Sequence, residues 1–122
     1  MTKGAVLYEF FNRFLPSYPV TSVPEDVPFP YGTYELITDN WDGGEVGLTV
    51  NLWFHTESEA IPNAKANELS EALGLGGLVL PCDGGYVWLK RGHPWSQSLA
   101  DDTAPGIKRR YLNVTAEYLT QY

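Results

Sequence analysis

The sequence predicts an α+β fold, a twisted, mainly antiparallel sheet with two helices packed on one face. Three observations predict it. The run Glu45 to His55 (E-V-G-L-T-V-N-L-W-F-H) puts Val46, Leu48, Val50, Leu52 and Phe54 on one parity, and Glu45, Gly47, Thr49, Asn51, Trp53 and His55 on the other. That is the period of two of a half-buried strand. Two turns, Asp42-Gly43-Gly44 and Asp83-Gly84-Gly85, separate apolar runs that can pair as hairpins. Two further stretches, one before residue 16 and one after residue 57, repeat apolar residues at spacings of three and four, the stripe of an amphipathic helix. Strands are commonly about five or six residues long, so the long Glu45–His55 run is expected at the centre of the sheet.

In chain order, Ala5 to Leu15 predicts a helix burying Val6, Leu7, Phe10, Phe11, Phe14 and Leu15, with Glu9, Asn12 and Arg13 outward and Pro16 ending it. Prolines at 16, 19, 24, 28 and 30 fix φ and remove donors. The arm from 16 to 30 is therefore expected to run extended and unpaired on the surface, either ordered or mobile, as a contact element. Thr33 to Thr38 predicts a strand with Tyr34 and Leu36 on the core parity, joined by a tight turn at Asp42–Gly44 to the central strand. After His55, Ser58 is a cap, Glu59 favours the positive helix end and Pro62 lies in the first turn. Ile61, Ala64, Leu69, Ala72 and Leu73 form the expected buried stripe, and Gly74 stops the helix. Leu78–Leu80 and Tyr86–Leu89 flank the second hairpin turn. Gly92 to Ile107 reads as a long loop, and Lys108 to Thr120 as a last strand with Leu112, Val114, Ala116 and Tyr118 inward and Asn113, Thr115 and Glu117 outward. There is no internal repeat.

A chain of 122 residues with 43% hydrophobic content fits one domain over 1–122. Neither end carries a basic segment leading into a long apolar run, and no apolar run approaches the roughly 18 residues that span a bilayer. A soluble, intracellular protein without a membrane partner is expected. The lone Cys82 cannot form an internal disulfide. A net charge of −7 argues against neutralising phosphates, so sequence-specific nucleic-acid binding is not expected. Four Trp and eight Tyr exceed what one small core needs and favour self-assembly or partner binding.

The chemistry-bearing residues do not converge on a reaction. The glycines at 74, 76 and 77 lack the Lys-Ser/Thr of a phosphate loop and read as a helix cap with a turn. His55 and His93 have no metal-ligand spacing; Asp39, Asp42 and Glu45 are expected to cap backbone donors at a turn; Cys82 reads as a half-buried structural thiol. No catalytic residue, cofactor or metal site is expected. Trp53, Trp88 and Trp95 are the interface candidates, with cover of the outward sheet residues by the proline arm as the alternative. Lys108, Arg109 and Arg110 form the main concentration of positive charge, with Lys90-Arg91 at another strand end. Should those ends be adjacent, they make a basic edge able to pair with Asp101 and Asp102 of another subunit; a solvated strand end is the alternative.

The order of elements carries a resemblance. An N-terminal amphipathic helix, an extended arm, a hairpin whose second strand ends in W-F-H-T-E-S, a helix of the A-K-A-N-E-L-S-E-A-L kind, a further hairpin and a long last strand resemble the tail terminator proteins of long-tailed bacteriophages (siphophages). These are the small proteins often labelled minor capsid or tail completion proteins. The resemblance implies a structural virion protein that assembles as a homo-oligomer, a hexameric ring capping the tail tube and presenting a surface to the head connector. It implies assembly in the bacterial host cytoplasm, a place in the tail or neck of the virion, and a monomeric state in some members before the tube is met. Members of that family carry no catalytic residues, so none are transferred. The acidic balance suits a lumen through which DNA slides without sticking. Three readings remain beside it: a head-tail joining or stopper protein, a small ligand-binding or enzymatic α+β domain using the open face of the sheet as a pocket, and a cellular interaction module with no viral link.

Overall fold

The strand Glu45–His55 forms over the full run that its alternation predicts, and the rest of the chain is hung on it. The computed structural model describes residues 1–100 and 104–122. In order these are α1 (Lys3–Asn12), β1 (Ser17–Pro19), β2 (Tyr31–Tyr34), a short 3-10 turn (Trp41–Gly43), β3 (Glu45–His55), α2 (Ala60–Leu73), β4 (Leu78–Cys82), β5 (Gly85–Ala100) and β6 (Ile107–Thr120). They make one six-stranded sheet in the order β1-β2-β3-β6-β5-β4. Only the β1–β2 pair is parallel. β3 and β6 pair along their whole length, from Glu45 opposite Glu117 to His55 opposite Ile107.

That register puts the aliphatic parity of β3 beside the inward set of β6, so Leu48, Val50, Leu52 and Phe54 share one face with Leu112, Val114, Ala116 and Tyr118. Both helices cover that face. α1 contributes Val6, Leu7, Phe10 and Phe11, and α2 contributes Pro62, Ala66, Leu69 and Leu73. Phe10 meets Phe11 and Phe14 edge-on, and Phe11 stacks on Tyr34 at 4.7 Å between ring centroids. The fold is thus α+β in two layers, with one face of the sheet left without a helix.

Five elements differ from the sequence reading, each for a local reason. α1 ends at Asn12 and not at Leu15, because the Asn12 amide replaces the backbone: it accepts from Ser17 N at 3.0 Å and donates to Tyr8 O and Ser17 O. Leu15 is still buried, from the turn. The first residues of the arm are paired, since Ser17–Pro19 forms the edge strand β1 against β2. β2 stops at Tyr34 because the Glu35 carboxylate accepts Thr49 N–H at 2.8 Å, the donor that its own carbonyl would take in a continuing ladder. Leu36 therefore points away from the core, 45% exposed, and the connection to β3 is a longer loop through the 3-10 turn, although the antiparallel pairing expected of the hairpin is present.

In α2 the buried stripe is Pro62, Ala66, Leu69 and Leu73, a spacing of four, three and four, while Ile61, Ala64 and Ala72 are exposed. Ser58 caps as expected in kind, its Oγ accepting Ala60 N at 3.0 Å. Lastly, the stretch expected as a long loop is mostly strand. β5 continues to Ala100 through a bulge between Arg91 and Ser96. Gly92, His93, Pro94 and Trp95 there stand against Asn113 alone, whose Nδ2 donates to Pro94 O at 2.6 Å. Gly and Pro, the residues that suggested a loop, are concentrated in the bulge.

Two buried tyrosines on this core face differ in one bond, and the difference is testable. Tyr118 Oη donates to Ile37 O at 2.5 Å, whereas Tyr34 Oη is buried without a partner. Burial pushes both phenols up to about 12. Tyr118→Phe is expected to cost about 1 kcal/mol in urea unfolding, and Tyr34→Phe to be neutral or stabilising. A raised phenol is stabilising only while protonated. Stability should hold up to the unfolded value of 10 and fall between there and 12, more shallowly in the double Phe variant.

Candidate functional site

The sheet face opposite the helices is built from the polar parity of β3 and β6 with their neighbours. Register places Tyr31, Trp53 and Arg109 in one row across β2, β3 and β6. The Tyr31 and Trp53 rings stack at 6.1 Å, and the Arg109 guanidinium lies 5.4 Å from the Trp53 ring centre. The next row holds Thr33, Asn51 and Tyr111, with the Tyr111 hydroxyl 3.4 Å from that of Thr49. At the far end Lys90 bridges Glu45 at 2.5 Å and Glu117 at 3.2 Å, with its ammonium 3.9 Å from the centre of the Trp88 ring. Partial burial would lower the Lys90 pKa, but the two carboxylates outweigh it and hold it above its ordinary value. The face is half-buried, aromatic at one end and ion-paired at the other.

The basic run does not form the edge the sequence suggested. Strand alternation splits it: Arg109 faces outward onto Trp53, while Lys108 and Arg110 face the start of α2. Arg110 is 6% exposed and spent within the chain. Its guanidinium donates to Glu59 Oε2 at 2.7 Å and to Asn63 Oδ1 at 2.8 Å; Ser98 Oγ donates to the same carboxylate, and Lys108 sits 3.5 Å from it. Burial would raise the Glu59 pKa, yet the bonds from Ser98 and Arg110 and the two positive charges hold it below its ordinary value. Lys90 pairs opposite Thr115, away from Lys108 to Arg110, so the two basic strand ends are not adjacent. Asp101 and Asp102 lie outside the described residues.

Of the three tryptophans singled out, Trp53 stands at the aromatic end of the open face, and Trp88, at its ion-paired end, meets Trp95 at the edge of the sheet. Trp88 and Trp95 line a cleft of about 510 Å³ between the α2–β4 turn and the β5 bulge. The Trp88 indole donates to Gly76 O at 2.8 Å and fixes the turn against the strand. Gly77 permits this approach: its φ is +83°, and a Cβ there would lie 2.6 Å from Leu89 O. At the rim Leu75 is 99% exposed. Arg91, also in the lining, donates to Ser70 Oγ at 2.9 Å and has no ion-pair partner among the described residues. Trp95 Nε1 is buried with no acceptor.

The sequence reading missed this cleft because residues 92–95 read as loop, which hid that one bulge brings Trp95 back beside Trp88. Leu75 between glycines, an apolar residue at the tip of a turn, was the available signal. It also passed over Trp41, 65% exposed in the 3-10 turn. Cys82 is half-buried against the core, and burial pushes its thiol up. Asp39 caps Asn40 N at 2.8 Å, as carboxylates at turns do. His55 is exposed at the end of β3, its ring 5.9 Å from Phe29, and His93 is exposed in the bulge.

Among the described residues no group of three His, Cys, Asp or Glu side chains is placed to hold a metal ion, and no helix is long and apolar enough to cross a membrane. Compared with known proteins, the chain matches no family model, no curated sequence and no solved structure.

Proposed function

We propose that this protein is a structural component of a bacteriophage virion, a tail terminator whose copies form a ring that caps the tail tube and joins it to the head connector. The observation that carries the reading is the open sheet face. It spans β2, β3, β6 and β5, has no helix over it, and presents a half-buried row of Tyr31, Trp53 and Arg109. Aromatic and guanidinium side chains in such a row give large contact area at low entropic cost, the composition of interface centres. The two-helix, antiparallel-sheet architecture is also the one that the resemblance to tail terminators implies. Electron microscopy of particles made without this protein tests the role: overlong tails are expected, whereas tails of normal length on heads that leak DNA would assign it to the stopper position.

The cleft beside Trp88 and Trp95 favours a second reading, a ligand-binding domain. A chain that elutes as a monomer even with tail tubes, and whose melting temperature rises with a small molecule, would favour that reading over assembly.

A further inference from the structure

The two edges of the sheet carry surfaces that complement each other. At one edge, the segment between β1 and β2 is an eleven-residue excursion, 20 to 30, with Val20, Val23 and Phe29 each at least 40% exposed. Its sequence V-P-E-D-V-P-F-P braces with prolines a turn that presents two adjacent acids, Glu25 and Asp26, the latter at φ +56°. At the other edge, β5 outruns β4, because their pairing ends at Leu78 opposite Leu89. From Lys90 onward β5 is itself the free edge, and the bulge cleft opens there. The cleft holds two indoles and the exposed Leu75, and its charged lining is basic: Arg91, without a carboxylate partner among the described residues, and Lys90, whose charge is already shared with Glu45 and Glu117.

We infer that residues 23–29 of one copy dock into the Trp88–Trp95 cleft of a second copy of this chain. A loop whose φ angles are fixed by prolines at 24, 28 and 30 loses little conformational entropy on docking. In a chain of net charge −7 a cleft that, among the described residues, has a guanidinium without an ion-pair partner and no lining carboxylate is a local exception, and it fits Glu25 and Asp26. Within one chain the arm does not fill the cleft: Phe29 lies against Tyr31 and His55, β3 and β6 stand between β2 and β5, and no described residue of 20–30 lines the cleft. Arm and cleft at opposite edges make the contact head-to-tail, and repetition of such a contact closes a ring when the rotation permits. The inference deepens the assembly reading and rests on it for the ring, while the arm contact itself is tested separately.

The test uses the full chain with Cys82→Ser and two further cysteines, Glu25→Cys and His93→Cys, oxidised with and without tail tubes and resolved on non-reducing gels. A ladder of intermolecular disulfide species is expected, and its absence from the control pair Glu25→Cys with Glu68→Cys, which places the second thiol on the outer surface of α2. Adding Arg91→Glu should remove the ladder, and adding Asp26→Arg to that variant should restore it. Equal ladders from both cysteine pairs, or none from Glu25→Cys with His93→Cys, overturn the arm contact. Light scattering on the same samples distinguishes the two failures: oligomers without the ladder leave the assembly reading standing, and neither oligomers nor ladder, on tail tubes as well, removes both.

Discussion

Glu59→Ala is expected to destabilise the protein by about 2–3 kcal/mol, a fall of about 10 °C in melting temperature for a chain of this size. The reason is an asymmetry of solvent access. The Arg110 side chain is 8% exposed and its guanidinium depends on Glu59 for its carboxylate, whereas the Glu59 side chain is 42% exposed. Removing Glu59 strands a buried cation with only Asn63 and Ser96 oxygens for partners. Removing Arg110 leaves a carboxylate that water, Ser98 and Lys108 still solvate. Full breakage of a buried pair costs about 3–5 kcal/mol, and the exposure of Glu59 lowers that figure through screening. Arg110→Met, which keeps the apolar stem, should cost within about 1 kcal/mol. Because the pKa of Glu59 is depressed in the folded chain, its contribution is complete above its ordinary value of 4.5 and is lost as pH falls through the acid range. Chemical unfolding between pH 3 and 7 should show that acid limb in the native protein and a weaker one in Glu59→Ala.

A second large effect is expected at the turn that opens β5. Gly85 has φ +151°, and a Cβ added there would lie 2.1 Å from Leu119 O, a backbone atom of the neighbouring strand. Neither the conformation nor the overlap can relax without moving β6. Gly85→Ala should cost about 3 kcal/mol or more, combining a backbone penalty of about 1–3 kcal/mol with displacement of the ladder. Gly47, in the middle of β3, is the contrast: nothing lies within 4 Å of its Cβ position and its φ is ordinary. Gly47→Ala is expected to raise stability by about 0.5 kcal/mol through reduced unfolded-state entropy. Equal effects at the two glycines in urea titration would contradict this account of the turn.

How far the sequence was legible follows from how local each signal was. β3 was readable to its ends because eleven residues alternate without interruption, and the inward set of β6 for the same reason. The second hairpin was readable because Asp83-Gly84-Gly85 can hardly be anything but a turn. The buried stripe of α2 was not, because Ile61 and Pro62 both begin plausible stripes and the choice is made by tertiary contact: Pro62 faces the core and Ile61 borders the arm at Phe29 and Pro30. The end of β2 was set by one carboxylate, Glu35, taking a ladder donor, which no periodicity reveals. At residues 92–95 a bulge and a loop call for the same residue types, so the continuation of β5, and with it the meeting of Trp88 and Trp95, could only be seen once Asn113 stood opposite. The basic run read as one patch because sequence proximity was taken for spatial proximity; in a strand, neighbours face opposite ways, and Arg109 and Arg110 do so.

The central proposal, that the open sheet face is an assembly surface, is tested most directly by comparing the native protein with Trp53→Glu for co-sedimentation with bacteriophage tail tubes, the partner that the proposed function names, alongside unfolding curves of both. A carboxylate at 53 stands beside Arg109, so the fold tolerates it, with a loss of no more than about 2 kcal/mol from the stack with Tyr31 and Arg109. The account predicts that the variant folds and no longer sediments with the tubes, while the native protein does. Sedimentation equal to that of the native protein, or loss of folding and sedimentation together, would contradict it and return Trp53 to the fold alone.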